Sequence, residues 1–252
     1  MPKILSIQSH VIHGHVGNRS ATFPLQLRGW DVLPLNTTQF SNHPGHGSFK
    51  GQRPSAGEIA ELFRGLELIG STEDIDVVLS GYVPSADALR TVGEECSKLA
   101  QDEVTWVLDP VLGDHGRVYV SEENIQIYKE LLNSGLVELT TPNQLELEVL
   151  SGVKVTDWNS LEKAVKEFMK RYKVGNLVVS SVELDSLKDE LVSVCCSRST
   201  ETDALRAHCY RVKKINALFS GSGGLFSALL TSSWFTDGFL VQALGESLSV
   251  LE

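Results

Sequence analysis

The sequence lacks long hydrophobic runs and an excess of basic residues, and each absence excludes a class of protein. No uninterrupted apolar stretch in the 252 residues is long enough to span a bilayer. The 32 aspartates and glutamates outnumber the 22 lysines and arginines, which gives a formal net charge of -10 and argues against a nucleic-acid surface. We therefore expect a protein that binds neither membranes nor nucleic acid.

Cysteine is also scarce, and its spacing matches no disulfide framework. The four cysteines, Cys96, Cys195, Cys196 and Cys209, include no CxxC pair, so we expect reduced thiols. The chain passes from Met1 directly into a strand pattern, without the apolar core of a secretory signal. Both features favour a cytoplasmic protein and leave the nucleus open as a second location.

Short apolar runs alternate with amphipathic helical patterns along the whole chain. This order is typical of βαβ units, and it predicts one domain over residues 1–252 with three α/β/α layers around a mostly parallel sheet. Runs at 191–195 and 207–212 predict an antiparallel edge. The polar segment Thr37–Ser55 is too long for a simple connection, so we expect a loop that closes over a ligand as a lid.

Polar residues follow the predicted strands, where open α/β sheets bind their ligands. Those residues are Ser9, Tyr82, Asp109, Thr141, Ser180 and Ser181. In addition, Gly221-Ser222-Gly223-Gly224 precede an apolar helical run that begins at Leu225. Such a junction presents backbone N–H groups at the positive end of a helix dipole, which suits a phosphate or an oxyanion. The alternative interpretation of the glycines is an ordinary loop.

Two acidic segments carry further candidates. Asp109 and Asp114 flank a Pro–Gly turn, and together they could bind a cation shared with a polyphosphate. Asn143 and Glu146 lie one turn apart at the start of a predicted helix, so they could reach a Mg²⁺ hydration shell or a phosphate. The alternatives are a turn or capping pair for the aspartates and plain helix capping for Asn143 and Glu146.

Histidines are concentrated near the N-terminus. Five of the seven are His10, His13, His15, His43 and His46. His13 and His15 could in principle bind zinc, but no cysteine or HExxH pattern accompanies them. Isolated polar contacts to a ligand are the interpretation we favour.

Several uncommon segments, in order along nearly the whole chain, resemble pyridoxal kinases of the ribokinase-like superfamily. The segments are Leu5-Ser6-Ile7-Gln8-Ser9-His10-Val11-Ile12, Val16 to Leu27, Gln39-Phe40-Ser41-Asn42-His43, Lys50-Gly51-Gln52, Gly81-Tyr82, Asp109 to Asp114 and Thr141-Pro142-Asn143-Gln144. The resemblance implies a transferase that phosphorylates the 5′-hydroxymethyl group of pyridoxal, pyridoxine or pyridoxamine with ATP, giving pyridoxal 5′-phosphate and its analogues in vitamin B6 salvage. It also implies Mg²⁺, leaves K⁺ open as a second cation, and implies a homodimer.

The resemblance also assigns roles to residues. The vitamer would contact Ser9, Val16, His43, Pro44 and Tyr82. The nucleotide would contact Asp109, Asp114, Tyr119, Asn143, Ser180 and Ser181, as well as an anion hole of Gly221, Ser222 and Gly223. The cations would be held by Asp109, Thr141 and Glu146.

The chain departs from the family pattern at several positions. Pro44-Gly45-His46 replaces the usual Thr-Gly-Tyr, and His15 replaces a tyrosine. Gly224 stands where the family has the aspartate that accepts the proton of the 5′-hydroxyl. The departure at Gly224 keeps open a pseudokinase that binds a vitamer or a nucleotide without brisk turnover. A hydroxymethylpyrimidine-type kinase is a further alternative, which the Gln8-Ser9-His10 and Ser41-Asn42-His43 segments disfavour.

Overall fold

The computed structural model describes residues 1–114, 116–217 and 219–251. The strands within these residues are β1 (Lys3–Gln8), β2 (Val11–His13), β3 (Asp31–Asn36), β4 (Gln39–Asn42), β5 (Gly51–Gln52), β6 (Val77–Ser80), β7 (Thr105–Leu108), β8 (Gly113–Asp114), β9 (Arg117–Val118), β10 (Val137–Thr140), β11 (Asn176–Val182), β12 (Glu190–Arg198) and β13 (Leu205–Lys213). The α-helices are α1 (Asn18–Leu27), α2 (Ala56–Leu68), α3 (Ala86–Gln101), α4 (Glu122–Asn133), α5 (Gln144–Ser151), α6 (Trp158–Arg171), α7 (Ser222–Asp237) and α8 (Leu240–Leu251).

Eight strands form the central sheet in the order β13-β12-β11-β10-β7-β6-β1-β3. The six strands β3, β1, β6, β7, β10 and β11 are parallel. β12 pairs antiparallel with both β11 and β13, which confirms the antiparallel edge that the sequence predicts. The chain runs outward from β1 to β3 and then returns to β6 on the other side of β1. Parallel sheets bind ligands at such a reversal, so the carboxyl ends of β1 and β6 mark the expected site.

Helices cover both faces of the sheet, which confirms the three-layer arrangement. Alternating side chains enter different cores, because successive side chains of a strand point to opposite faces. In β1, Leu5 and Ile7 pack with α2 to α6, whereas Ile4 packs with α1, α7 and α8. Gln8 lies four residues after Ile4 in the same strand, so both side chains point to the same face of the sheet, toward the layer that contains α7. No helix in the described part of the chain is long and apolar enough to cross a membrane.

The segment predicted as the loop Thr37–Ser55 contains regular structure. It includes β4, a short 3₁₀-helix at Pro44–His46, and β5. β4 pairs with both β2 and β5, which makes a small three-stranded sheet that we call the lid sheet. These strands are too short to show a sequence period. The strand pair β4–β5 requires glycine at position 51, which has φ 141°, because a Cβ there would lie 2.0 Å from the Gln39 carbonyl oxygen.

The position of Ser180 and Ser181 is a second correction. We predicted these serines at the end of their strand, but both lie inside β11, where pairing with β12 shifts register between Val179 and Val182. β11 continues through both serines because β12 pairs with it as far as Val182, whereas β10 pairs with it only at Asn176 and Leu177. All four cysteines are free thiols, and Cys195 and Cys196 pack into different cores.

Candidate active site

The carboxyl ends of the central strands meet the beginning of α7. Gly221, which has φ 89°, is the N-cap residue of this helix, and no side chain forms a capping hydrogen bond. A Cβ at Gly221 would lie 1.9 Å from the carbonyl oxygen of His15, so only glycine allows this approach to the chain after β2. The first turn, which begins with Ser222 and Gly223, therefore presents its N–H groups at the positive end of a 16-residue helix.

One turn farther along the same helix, Ser227 contacts the buried Asp109, which follows β7. The Ser227 hydroxyl lies 3.0 Å from Asp109 Oδ2 and 3.1 Å from the hydroxyl oxygen of Thr141. Asp109 is only 8% exposed. Burial raises its pKa to about 7, although hydrogen bonds from Ser227 and Thr141 act in the opposite direction. These contacts bring together the ends of β7, β10 and α7.

Glu146 is a second buried carboxylate, and it is 2% exposed. Its Oε1 accepts hydrogen bonds from the N–H groups of Leu112 and Gly113 at 2.9 and 3.5 Å, and its Oε2 accepts one from Asn143 N–H at 2.8 Å. Burial, and secondarily the charge of Asp109, raises the pKa of Glu146 well above its ordinary value, while the hydrogen bonds lower it. The chain therefore holds two acidic groups together away from water.

Asn143 confirms the capping alternative. Its side chain accepts a hydrogen bond from Glu146 N–H at 3.0 Å and donates one to the Gly113 carbonyl oxygen at 2.8 Å. Asn143 and Glu146 thus form a capping box at the start of α5, and they tie that helix to the turn after β7. Asp114 lies on β8 at the exposed end of this turn. Ser180 lies near the same junction, because its N–H donates to the Pro142 carbonyl oxygen at 3.0 Å.

Gly224 lies in the first turn of α7 and faces the end of β1. A Cβ at this position would lie 3.0 Å from Gln8 Oε1, 3.5 Å from Ser20 Oγ and 3.7 Å from the backbone nitrogen of Gly17. Gln8 is buried, and its amide donates to Ser6 Oγ at 3.1 Å. The Cβ of any other residue at 224 would therefore contact Gln8 and lie near Ser20 and Gly17.

The candidate vitamer residues lie in the segments that follow β1, β2, β4 and β6. Val16 is buried against Val11 and Phe40, and Phe49 packs on the same cluster. Tyr82 is partly buried, and its ring meets that of Tyr119 edge-on at 6.2 Å. Ser9 follows β1, and its carbonyl oxygen accepts from Asn18 N–H at 2.8 Å.

The histidines belong to the lid side of this region. His43 Nδ1 accepts from Gly45 N–H at 3.2 Å and caps the 3₁₀-helix that begins at exposed Pro44. Burial, and secondarily the nearby His46, lowers the pKa of His43. The rings of His13 and His46 meet at a centroid distance of 6.3 Å. Within the described residues, no three His, Cys, Asp or Glu side chains form a group that could hold a metal ion.

Sequence reasoning missed the roles of Ser227, Gln8 and Ser20. Ser227 lies four residues after Gly223, and its hydroxyl also lies 3.0 Å from the Gly223 carbonyl oxygen. The sequence does contain a signal for Ser227, because it is a serine within an apolar helical run, one turn after the glycine cluster. Gln8 and Ser20 gave no such signal, because their relation to Gly224 arises only when β1, α1 and α7 pack together.

Comparisons with known proteins agree with this fold and site. The family described as phosphomethylpyrimidine kinase matches residues 62–251. The protein BUD17 of Saccharomyces cerevisiae is 46% identical over 243 residues, which cover 93% of this chain and 75% of the yeast protein. Human pyridoxal kinase is 38% identical over 241 residues, which cover 90% of this chain and 76% of the human enzyme.

A solved structure extends the similarity to three dimensions. Pyridoxal kinase from Leishmania donovani, in complex with ADP and ginkgotoxin, superimposes with a TM-score of 0.93 at 32% identity, covering 100% of this chain and 87% of that one. The α/β/α fold and the uncapped helix beside buried carboxylates are those of a ribokinase-like kinase. The chain belongs to the pyridoxal kinase family of that superfamily.

Proposed function

We infer that the protein transfers the γ-phosphoryl group of ATP to the 5′-hydroxymethyl group of pyridoxal, pyridoxine or pyridoxamine. The observation that carries this inference is the uncapped N-terminus of α7 at Gly221, Ser222 and Gly223. One turn farther along that helix, Ser227 is hydrogen-bonded to the buried Asp109. Phosphoryl transfer needs oriented donors and cations more than covalent chemistry by the protein. The Leishmania donovani enzyme, which forms complexes of ADP with pyridoxamine and with pyridoxine, supports the substrate class.

We assign the cations to the acidic end of this site. Neither Asp109 nor Glu146 forms a salt bridge with any residue that the structure describes, so no described side chain would compete with a cation that binds the ionised pair. Mg²⁺ usually binds through one or two carboxylates together with phosphates, which is compatible with the lack of a third acidic ligand. Asp109, Thr141 and Glu146 would hold Mg²⁺, with K⁺ as a second cation. Mg²⁺ would neutralise the charge on the transferred phosphoryl group.

We assign the other predicted residues by their places around this end. Asp114, Tyr119 and Asn143 surround the acidic turn, and Ser180 and Ser181 lie beside it on β11. Together with the N–H groups of α7 they would contact the nucleotide. Ser9, Val16, His43, Pro44 and Tyr82 would contact the vitamer beneath the lid sheet. The proposal includes one domain over residues 1–252, a homodimer, and a cytoplasmic or nuclear location.

Gly224 favours a second candidate, a pseudokinase. The space beside Gln8 and Ser20 contains no carboxylate from position 224 to accept the 5′-hydroxyl proton. The N–H donors and the acidic end do not depend on this position. The protein would then bind ATP and a vitamer, and turn them over slowly or not at all.

A panel of ligands tests the substrate class. Thermal unfolding should shift upward with Mg²⁺·ATP and with pyridoxal, because ligands that bind only the folded state stabilise it. Hydroxymethylpyrimidine should give the smaller shift. A shift with hydroxymethylpyrimidine and none with pyridoxal would contradict the proposed substrate and would favour the pyrimidine kinase alternative. Formation of pyridoxal 5′-phosphate then distinguishes the enzyme from the pseudokinase.

A further inference from the structure

Arg53 follows β5 and lies over the aromatic cluster of the lid sheet. Its guanidinium carbon is 5.4 Å from the centroid of the Phe40 ring and 5.9 Å from that of Phe49. The two rings are themselves 4.7 Å apart. A cation at this distance from two rings is held by cation–π attraction, so the side chain has a preferred position although it is exposed.

The charge of Arg53 has no acidic partner. Arg53 forms no salt bridge with any residue in the described ranges. The surrounding lid surface therefore presents a positive charge that is not locally neutralised.

This charge acts on the proposed vitamer pocket. Burial raises the pKa of Tyr82, and the positive charge of Arg53 opposes that rise. Phe40, on which Arg53 lies, packs against Val16. The guanidinium is therefore within electrostatic reach of Tyr82 and lies on the cluster that contains Val16, and both residues are assigned to the vitamer.

We propose that Arg53 is a specificity-determining residue whose charge disfavours vitamers with a cationic substituent. The inference rests on the proposed function. Pyridoxamine carries an aminomethyl group, which is protonated at neutral pH like a lysine side chain, where pyridoxine carries a neutral hydroxymethyl group. Repulsion between two charges near a protein surface should weaken pyridoxamine binding about 3- to 10-fold relative to pyridoxine.

The test is a calorimetric titration of the full chain with pyridoxine, pyridoxal and pyridoxamine. We expect a Kd for pyridoxamine about 3- to 10-fold above that for pyridoxine. Arg53→Met retains a long side chain over the rings without the charge, and it should bring the ratio within about twofold. Arg53→Lys retains the charge and should preserve the discrimination. Salt should reduce the ratio in the unsubstituted protein, since it screens exposed charges.

The outcomes separate this inference from the function on which it rests. If all three vitamers bind and Arg53→Met leaves their Kd ratio unchanged, the role of Arg53 is contradicted and the proposed function stands. If the variant weakens all three equally, Arg53 only packs against the rings, and the specificity role is again contradicted. If none of the vitamers binds the unsubstituted protein, the proposed function itself fails. A folding defect in Arg53→Met would leave the salt dependence of the unsubstituted protein as the deciding result.

Discussion

The two sides of the candidate site differ in how far their polar groups are buried and hydrogen-bonded within the protein. On the side that we propose binds the nucleotide, Asp109 and Glu146 are buried and accept hydrogen bonds from Ser227 and from backbone N–H groups. On the side that we propose binds the phosphoryl acceptor, Gly224 faces Gln8 without a side chain, and Pro44 and His46 are exposed next to the lid sheet.

If the proposed roles hold, binding and proton transfer depend on separate parts of this molecule. Burial of the acidic pair costs the apo protein stability, and a bound cation would offset that cost. The acceptor side needs one correctly placed base, and general-base assistance is typically worth about 10²- to 10⁴-fold in rate. Loss of the base should therefore reduce turnover while leaving affinity nearly intact.

Restoring a carboxylate at position 224 should have the largest effect. We expect Gly224→Asp to raise kcat for pyridoxal phosphorylation about 10²- to 10⁴-fold, with Kd values for pyridoxal and ATP changed by less than about threefold. The Gln8 amide must move a few tenths of an ångström to admit the new Cβ.

Gly224→Asn is the matched control, because it adds the same bulk without a base. It should leave kcat near that of the unsubstituted protein. An equal gain with asparagine would show that the side chain acts by filling space, and it would remove the argument for a missing proton acceptor.

The acidic side predicts a pH-dependent stability. The pKa of Asp109 rises from 3.8 to about 7 on folding. The protonated carboxyl therefore stabilises the folded state fully below pH 3.8, and this contribution is lost as pH rises through 7. It amounts to at most about 4 kcal/mol, at about 1.4 kcal/mol per pKa unit.

Chemical denaturation of the apo protein at several pH values measures this effect. Asp109→Asn should be more stable than the unsubstituted protein at pH 8, and the difference should shrink toward pH 5. An unchanged free energy of unfolding across this range would show that Asp109 is better solvated than the structure indicates.

The same acidic groups should support nucleotide affinity. Asp109→Asn and Glu146→Gln remove charge and keep the side-chain shape, so each should weaken Mg²⁺·ATP binding about 10- to 100-fold, while pyridoxal binding changes little. Calorimetry with and without Mg²⁺ separates the cation contribution. Unchanged Mg²⁺·ATP affinity in both variants would contradict the cation assignment.

The smallest expected effect concerns closure of the lid. Trypsin should cleave after the exposed Lys50, and pyridoxal together with a nucleotide analogue should slow this cleavage about two- to fivefold. Lys173 is the internal control, because it is exposed between α6 and the amino end of β11, whereas the candidate site lies at the carboxyl ends of the strands. Equal slowing at both lysines would indicate general stabilisation instead of lid closure.

The sequence predicted the layers well, because short strand-like runs such as Lys3–Ile7 alternate with amphipathic helical patterns along the chain. It predicted Asp109, Thr141 and the glycines before α7 as a common site, since strand ends converge. It could not predict the lid sheet, whose strands span two to four residues. Nor could it place Gln8 against Gly224 or Arg53 over Phe40, because these contacts join segments distant in sequence.

The most direct test of the separation between binding and turnover uses the unsubstituted protein. In one preparation, calorimetry would measure binding of pyridoxal and of Mg²⁺ with a non-hydrolysable ATP analogue, and an absorbance assay would measure pyridoxal 5′-phosphate formation. We predict saturable binding of both ligands, with turnover at least about 100-fold below that of Gly224→Asp. Brisk turnover by the unsubstituted protein would show that another group accepts the proton, and it would contradict the account.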